Sequence, residues 1–130
     1  MQKINRVQSF QYAFTGMWYT LKTQRNAQIH VGIGTIIIIL GLFLQINLTE
    51  WAIIILTSGF VIVTEMLNTA IEGAMDFAST DYHPQIKIVK DVAAGAVLVS
   101  AITAVAVGLM ILGPKLIAWL LHLILLRSLS

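Results

Sequence analysis

The chain has 130 residues, 58% of them hydrophobic and only 11% charged, with a mean hydropathy of +0.86. The length would suit a small soluble domain, but this composition excludes one, because water cannot be its main solvent. Lys3, Arg6, Lys22 and Arg25 account for much of the net charge of +2 and read as attraction to anionic lipid, not to nucleic acid.

Residues 5–25 place Phe10, Ala13, Phe14, Met17, Trp18 and Leu21 at helical spacing, with Arg6, Gln11, Thr15 and Lys22 elsewhere around the wheel. The pattern predicts an N-terminal amphipathic helix lying on the membrane surface. No apolar core and small-residue cleavage site mark a signal peptide here, so the first span is expected to serve as the insertion signal. The charge-free runs Asn26–Thr49 and Val92–Pro114 each exceed the roughly 20 residues that cross a bilayer as a helix. Between them, Trp51–Ala74 is interrupted only by Glu65 and Glu72.

The resulting expectation is a single all-α membrane domain over 1–130. It has a surface helix at 5–25, transmembrane helices at 29–46, 50–77 and 85–113, and an apolar tail helix at 115–127 on the outer surface. Asn47–Leu48–Thr49 leaves room only for a tight turn, Ser79–Pro84 reads as a loop, and Gly113–Pro114 ends the last span. Lys87 and Lys90 flank the second loop while the first has no basic residue, so the N-terminus and residues 78–90 are expected on the cytoplasmic side of a multi-pass plasma-membrane protein. Ala96, Ser100, Ala104 and Gly108 form a small-residue stripe that permits close helix approach and favours a homo-oligomer; alanine as helix filler is the plainer alternative.

Glu65, Asn68, Glu72 and Asp76 fall within an arc of roughly 80° on the second span. Glu72 comes near the inner interface and Glu65 about 10 Å deeper. A charged carboxylate at membrane depth costs about 2.5 to 3.5 kcal/mol, so Glu65 asks for a function. For Glu72 and Asp76 a solvated helix end is the plain alternative, and for Lys87 it is snorkelling to the interface. Lys90, beside Asp91, faces the acidic helix and could neutralise it or hold a phosphate. His30 begins the first span at the same level, His83 lies in the loop and His122 in the tail; none has zinc-site spacing with another. Hard oxygen ligands such as Glu72 suit Mg²⁺ completed by substrate phosphates, and no GxxxxGK[ST] run occurs. The chain has no cysteine, which leaves out thiolate chemistry and disulfides alike. A small ion-coupled transporter would explain Glu65 alone but not the polar residues climbing from it.

EMLNTAIE (Glu65–Glu72), Asp76, DYH (Asp81–His83) and KDVAAGAV (Lys90–Val97), together with SFQYAFTG (Ser9–Gly16) and RNAQIH (Arg25–His30), resemble the prokaryotic diacylglycerol kinase family, which includes undecaprenol kinases. The resemblance spans about residues 8–112. It implies a homotrimer of three-span subunits that transfers the γ-phosphate of MgATP to a lipid hydroxyl, undecaprenol or diacylglycerol, in phospholipid or cell-wall lipid-carrier metabolism. By position, Glu65 matches the catalytic base and Glu72 the metal-binding glutamate. Tyr12, Asn68, Asp81, Tyr82, His83, Lys90 and Asp91 match the nucleotide site. Where some relatives have a second metal-ligand glutamate this chain has Gln24, a poorer Mg²⁺ ligand, so the resemblance leaves Asp76 or water to fill that place. The RNAQIH and YAF segments are closer to the undecaprenol kinases of Gram-positive bacteria.

Overall fold

The computed structural model describes residues 5–128, so Lys3 lies outside the described residues. The described chain is helical: α1 Arg6–Thr23, α2 Arg25–Phe43, α3 Leu48–Ala78 and α4 Pro84–Ser128. The last three are long and apolar enough to cross a membrane, in agreement with the three expected spans.

Helix α1 passes into α2 through Gln24 alone, whose extended backbone (φ −101°, ψ 113°) breaks the helical run. Gln28 reaches back from α2, its Nε2 donating to the Leu21 carbonyl at 3.0 Å, and so satisfies one of the acceptors that a helix end leaves open. The helix of the first span therefore starts at Arg25 and not at residue 29: Ala27 is buried to 1% exposure, so the polar turn already packs, and Gln28 ties it back to α1. Aromatic residues of α1 such as Phe10, Phe14 and Trp18 face outward, and within α1 only Thr20 is buried.

The turn from α2 to α3 is tightly specified. Gln45 takes a left-handed conformation (φ 51°), the Ile46 N–H bonds the Gly41 carbonyl at 3.1 Å and the Gln45 N–H bonds Leu42 at 3.3 Å, the paired bonds of a Schellman C-cap. Gly41 permits the close packing, since a Cβ there would meet Trp51 Cη2 at 2.8 Å and Ile46 Cδ1 at 3.0 Å. Asn47 then caps α3: its side chain accepts from the Glu50 N–H at 3.0 Å and Glu50 Oε2 accepts from the Asn47 N–H at 2.7 Å, a reciprocal capping box. These bonds start the second span at Leu48, two residues before the position read from the sequence.

The principal packing is α3 against α4, and a core of Ile46, Ile54 and Leu112 closes the end near the α2–α3 turn. Lys115 pairs there with Glu50 at 3.2 Å, and the Phe43 and Trp119 rings meet edge to face with centroids 5.1 Å apart. These contacts bear on the largest difference from expectation. Helix α4 does not stop at Gly113–Pro114 but continues as one helix to Ser128, with Pro114 inside. Proline removes only one backbone donor, a loss that membrane helices tolerate, and the turns beyond it are held by Lys115 and Trp119.

Part of the small-residue stripe of α4 packs against its own chain. Ser100 is 1% exposed and meets Thr64 of α3 at 2.8 Å between hydroxyl oxygens, while Gly108 lies against Ile37 of α2. Ala96 remains exposed.

Candidate active site

Polar side chains are concentrated in the half of the α3–α4 pair remote from the α2–α3 turn. At the deep end Glu65 is only 1% exposed. A 31-residue α3 spans about 46 Å, so its last turns extend past a hydrocarbon layer of roughly 30 Å while Glu65 stays inside the packed helices. Its Oε1 lies 3.4 Å from His30 Nε2 of α2 yet accepts no hydrogen bond from the described residues. Beside it, Thr64 and Ser100 engage each other and the Val61 and Val97 carbonyls, and the Thr69 hydroxyl donates to the Glu65 carbonyl.

One turn further on, the Asn68 amide donates to Glu72 Oε1 at 3.0 Å, while its own Oδ1 is buried without a donor. The i, i+4 spacing puts both on one face. The pair offers what a hard cation needs: a half-buried carboxylate and an amide oxygen with no other partner. Among the described residues no three His, Asp or Glu side chains gather into a metal cluster. One carboxylate with one amide oxygen is a donor set of the kind Mg²⁺ accepts, since that ion takes one or two carboxylates and leaves its other positions to water and phosphates.

At the shallow end Lys90 Nζ pairs with Asp76 Oδ1 at 2.6 Å, so the expected facing of Lys90 to the acidic helix is realised with Asp76. Asp91 instead bonds Lys87, four residues back on its own helix. Gln24 is half-buried at the α1–α2 junction. Tyr12 is exposed on α1 and Tyr82 is exposed in the α3–α4 loop, where the Asp81 N–H bonds the Ser79 hydroxyl. No hydrogen bond or ion pair among the described residues joins Tyr12, Asp81, Tyr82 or His83 to Glu65, Asn68 or Glu72.

Sequence reasoning left His30 outside the site; the packing of α2 on α3 is what brings its Nε2 to 3.4 Å from the buried carboxylate. Two grooves flank the site. One of about 360 Å³ lies between α3 and α4, with Thr64, Asn68, Ile88 and Val92 among its walls. The other, about 600 Å³, runs along α2, α3 and α4 from His30 to Leu112 and is otherwise apolar or hydroxylic.

Chemically, a carboxylate held out of water can take a proton from a hydroxyl presented to it. The amide–carboxylate pair above it can ligate a cation, and the nearby ammonium can balance phosphate charge.

Comparison with known proteins identifies relatives of the chain. The family model for prokaryotic diacylglycerol kinase matches residues 11–112. Over 115 residues the chain is 41% identical to an undecaprenol kinase of Bacillus subtilis, covering 88% of this chain and 94% of that one. It is 43% identical over 115 residues to a diacylglycerol kinase of Synechocystis, covering 88% of this chain and 66% of that one. A diacylglycerol kinase of Helicobacter pylori is 32% identical over 104 residues, 75% of this chain and 81% of its own length.

Proposed function

The chain belongs to the prokaryotic diacylglycerol kinase family, which makes it a membrane lipid kinase with an alcohol acceptor, and we propose that it carries the γ-phosphate of MgATP to the hydroxyl of undecaprenol or diacylglycerol. The observation that carries this reading is Glu65: a carboxylate 1% exposed on a membrane-spanning helix, its Oε1 accepting no hydrogen bond from the described residues. Such a group costs stability wherever it is placed, and a function is the default reason for keeping it.

The order of depth along α3 suits the two substrates. A lipid alcohol sits at headgroup level and ATP arrives from water, so the base belongs below the phosphate-binding residues, as Glu65 lies below Asn68 and Glu72. Glu65 takes the hydroxyl proton as the oxygen attacks, a contribution of about 10² to 10⁴ in rate. Glu72 and the Asn68 Oδ1 would hold Mg²⁺, with Asp76 or Gln24 as secondary ligands. When bound, the ion neutralises charge on the phosphates. Lys90 exchanges Asp76 for the phosphoryl oxygens, and preorganised positive charge of this kind lowers the barrier to transfer. Tyr12, Asp81, Tyr82, His83 and Asp91 complete the nucleotide site.

In this reading α1 lies as an amphipathic helix on the cytoplasmic face of the plasma membrane. Its Arg6 and Lys22 join Arg25, Lys87 and Lys90 on that side, as the positive-inside rule requires. The subunits assemble as a homotrimer, which covers part of the apolar surface that one subunit leaves open. An ion-coupled transporter would need only the buried carboxylate and leaves the pairing of Asn68, Glu72, Asp76 and Lys90 without purpose.

The test is transfer of label from [γ-³²P]ATP by purified protein in mixed micelles containing undecaprenol or diacylglycerol, with and without Mg²⁺. Mg²⁺-dependent labelling of at least one lipid is expected, and the ratio of kcat/KM values assigns the substrate. No labelled lipid from either alcohol would overturn the proposal.

A further inference from the structure

We propose that His30 is a positioning residue for Glu65, holding the carboxylate at the α2–α3 contact and receiving from it the proton that Glu65 removes from the lipid hydroxyl. The inference rests on the reading of Glu65 as the base and adds how that base is reset between turnovers.

Three observations carry it. First, His30 Nε2 stands 3.4 Å from Glu65 Oε1, and that same oxygen has no hydrogen-bond donor. The two atoms are already within reach, and a turn of the imidazole or the carboxylate aligns them, an improvement in geometry that catalytic contacts often show once substrate binds. Second, the other charged groups around Glu65 are engaged elsewhere or out of reach. On its own helix Glu72 accepts from Asn68 and Asp76 holds Lys90. On α4 Lys87 is held by Asp91 and the Ser100 hydroxyl is turned to Thr64 and Val97. Lys22 of α1 and Arg25 of α2 do not come within ion-pair range, and Tyr19 of α1 is exposed. Third, exposure differs across the pair: the His30 side chain is 20% exposed and that of Glu65 2%. His30 is also the one ionisable residue lining the 600 Å³ groove. A proton on Glu65 is enclosed, whereas one on His30 sits five residues, about 7 Å, from Arg25 at the end of α2 that the proposed orientation puts at the cytoplasmic surface.

The steps balance. The lipid O–H proton passes to Glu65 while the oxygen bonds the γ-phosphorus, and the bond from that phosphorus to ADP breaks with its electron pair. The Glu65 carboxylic acid gives its proton to Nε2 of His30, which is neutral and protonated on Nδ1; the imidazolium then holds the carboxylate through Nε2–H until it releases that same proton to water. Both groups are then as they began. Imidazole suits the task because its ordinary pKa, about 6.5, lets it gain and lose a proton near neutral pH.

The experiment compares His30→Ala, His30→Gln and Glu65→Gln in full-length protein in lipid micelles, each checked for thermal stability and ATP binding. His30→Ala is expected to lose about tenfold or more in kcat with little change in either KM. Added imidazole should restore turnover in proportion to its free-base fraction, since the groove beside residue 30 is open. His30→Gln keeps a hydrogen-bond donor for Glu65 but cannot carry a proton, so it is expected to stay slow and to lose one ionisation from the pH–rate profile. Wild-type kcat and pH profile in His30→Gln would overturn the proposal, as would a folded His30→Ala that imidazole does not restore. If His30→Ala fails to fold, His30→Gln decides alone. Full turnover by Glu65→Gln would refute the base itself, and is separable because it does not depend on residue 30.

Discussion

The Asn68 amide donates to Glu72 Oε1 at 3.0 Å, while the amide oxygen of the same residue is buried with no donor facing it. One side chain thereby fixes the carboxylate and presents a second oxygen beside it. Glu72→Gln is expected to weaken Mg²⁺-dependent ATP binding by about tenfold or more, since a neutral amide is a poorer ligand for a hard cation. Excess Mg²⁺ should restore part of the loss. A titration of ATP binding against Mg²⁺ that matches wild type would remove Glu72 from the metal site.

Asp76 serves as the counter-test. It pairs with Lys90 at 2.6 Å, a solvent-facing contact of a kind that adds little to stability. If its role is to neutralise Lys90 until nucleotide arrives, Asp76→Asn should leave thermal stability unchanged and tighten ATP binding up to about threefold. A raised Mg²⁺ requirement in that variant would instead make Asp76 a metal ligand.

Much of this site could be read from residue spacing, and what could not depended on how helices meet. The 3, 4, 4 intervals from Glu65 to Asp76 set one face of α3 whatever surrounds it, because they follow from helix geometry alone. Lys90 opposite acidic residues followed from the short loop that joins α3 to α4. Its choice of Asp76 required the rotation of each helix about its axis, which no local pattern encodes, whereas the pairing of Asp91 with Lys87 is an i, i+4 contact that helix spacing alone offers. The His30–Glu65 contact needed the register of α2 on α3. Likewise Pro114 is an end signal in water, where the lost hydrogen bond exposes a helix to competition from solvent. Yet a proline inside a helix removes only one backbone donor, and the contacts of Lys115 with Glu50 and of Trp119 with Phe43 hold the turns that follow, so α4 runs on.

The hydroxyls of Thr64 and Ser100 lie 2.8 Å apart and buried, and each is also in reach of a carbonyl on its own helix. Each hydroxyl has one proton, so the contact is shared with backbone bonding and its worth is modest. A double-mutant cycle with Thr64→Val and Ser100→Ala should give a coupling of about 0.6 to 1.7 kcal/mol in unfolding experiments in detergent. Ser100→Leu, which forces bulk into the α3–α4 contact, should cost more than Ser100→Ala. Equal stability for the two would mean that α4 does not pack on α3 through this residue.

At the opposite end, Gln45 holds φ at 51° to complete the C-cap of α2. A non-glycine residue is strained in that region, so Gln45→Gly should stabilise by roughly 0.5 to 1 kcal/mol. Gly41→Ala should do the reverse, by about 1 to 3 kcal/mol, because the new methyl would meet the rigid Trp51 ring at 2.8 Å. Thermal unfolding of the two variants checks both signs, and a stabilised Gly41→Ala would mean that Trp51 is not packed against α2.

The mechanism turns on Glu65. Replacement by Gln keeps the size of the side chain and its capacity to meet His30, but removes the base. Assembly should survive, and stability should hold or rise, because a carboxylate has left the interior of a membrane protein. ATP binding should also survive, since Asn68, Glu72 and Lys90 are untouched and the Asn68–Glu72 bond does not involve residue 65. Turnover alone should fall, by roughly 10²-fold or more in kcat at saturating lipid and ATP, with apparent ATP affinity nearly unchanged. Were Glu65 only a hydrogen-bonding partner for His30, the amide oxygen of Gln would replace it and turnover would stay within a few-fold of wild type. The two outcomes differ by about two decades, far outside assay error. Near-normal kcat in a folded Glu65→Gln protein would therefore strip Glu65 of its role as base, while the metal-site and stability predictions would stand on their own residues.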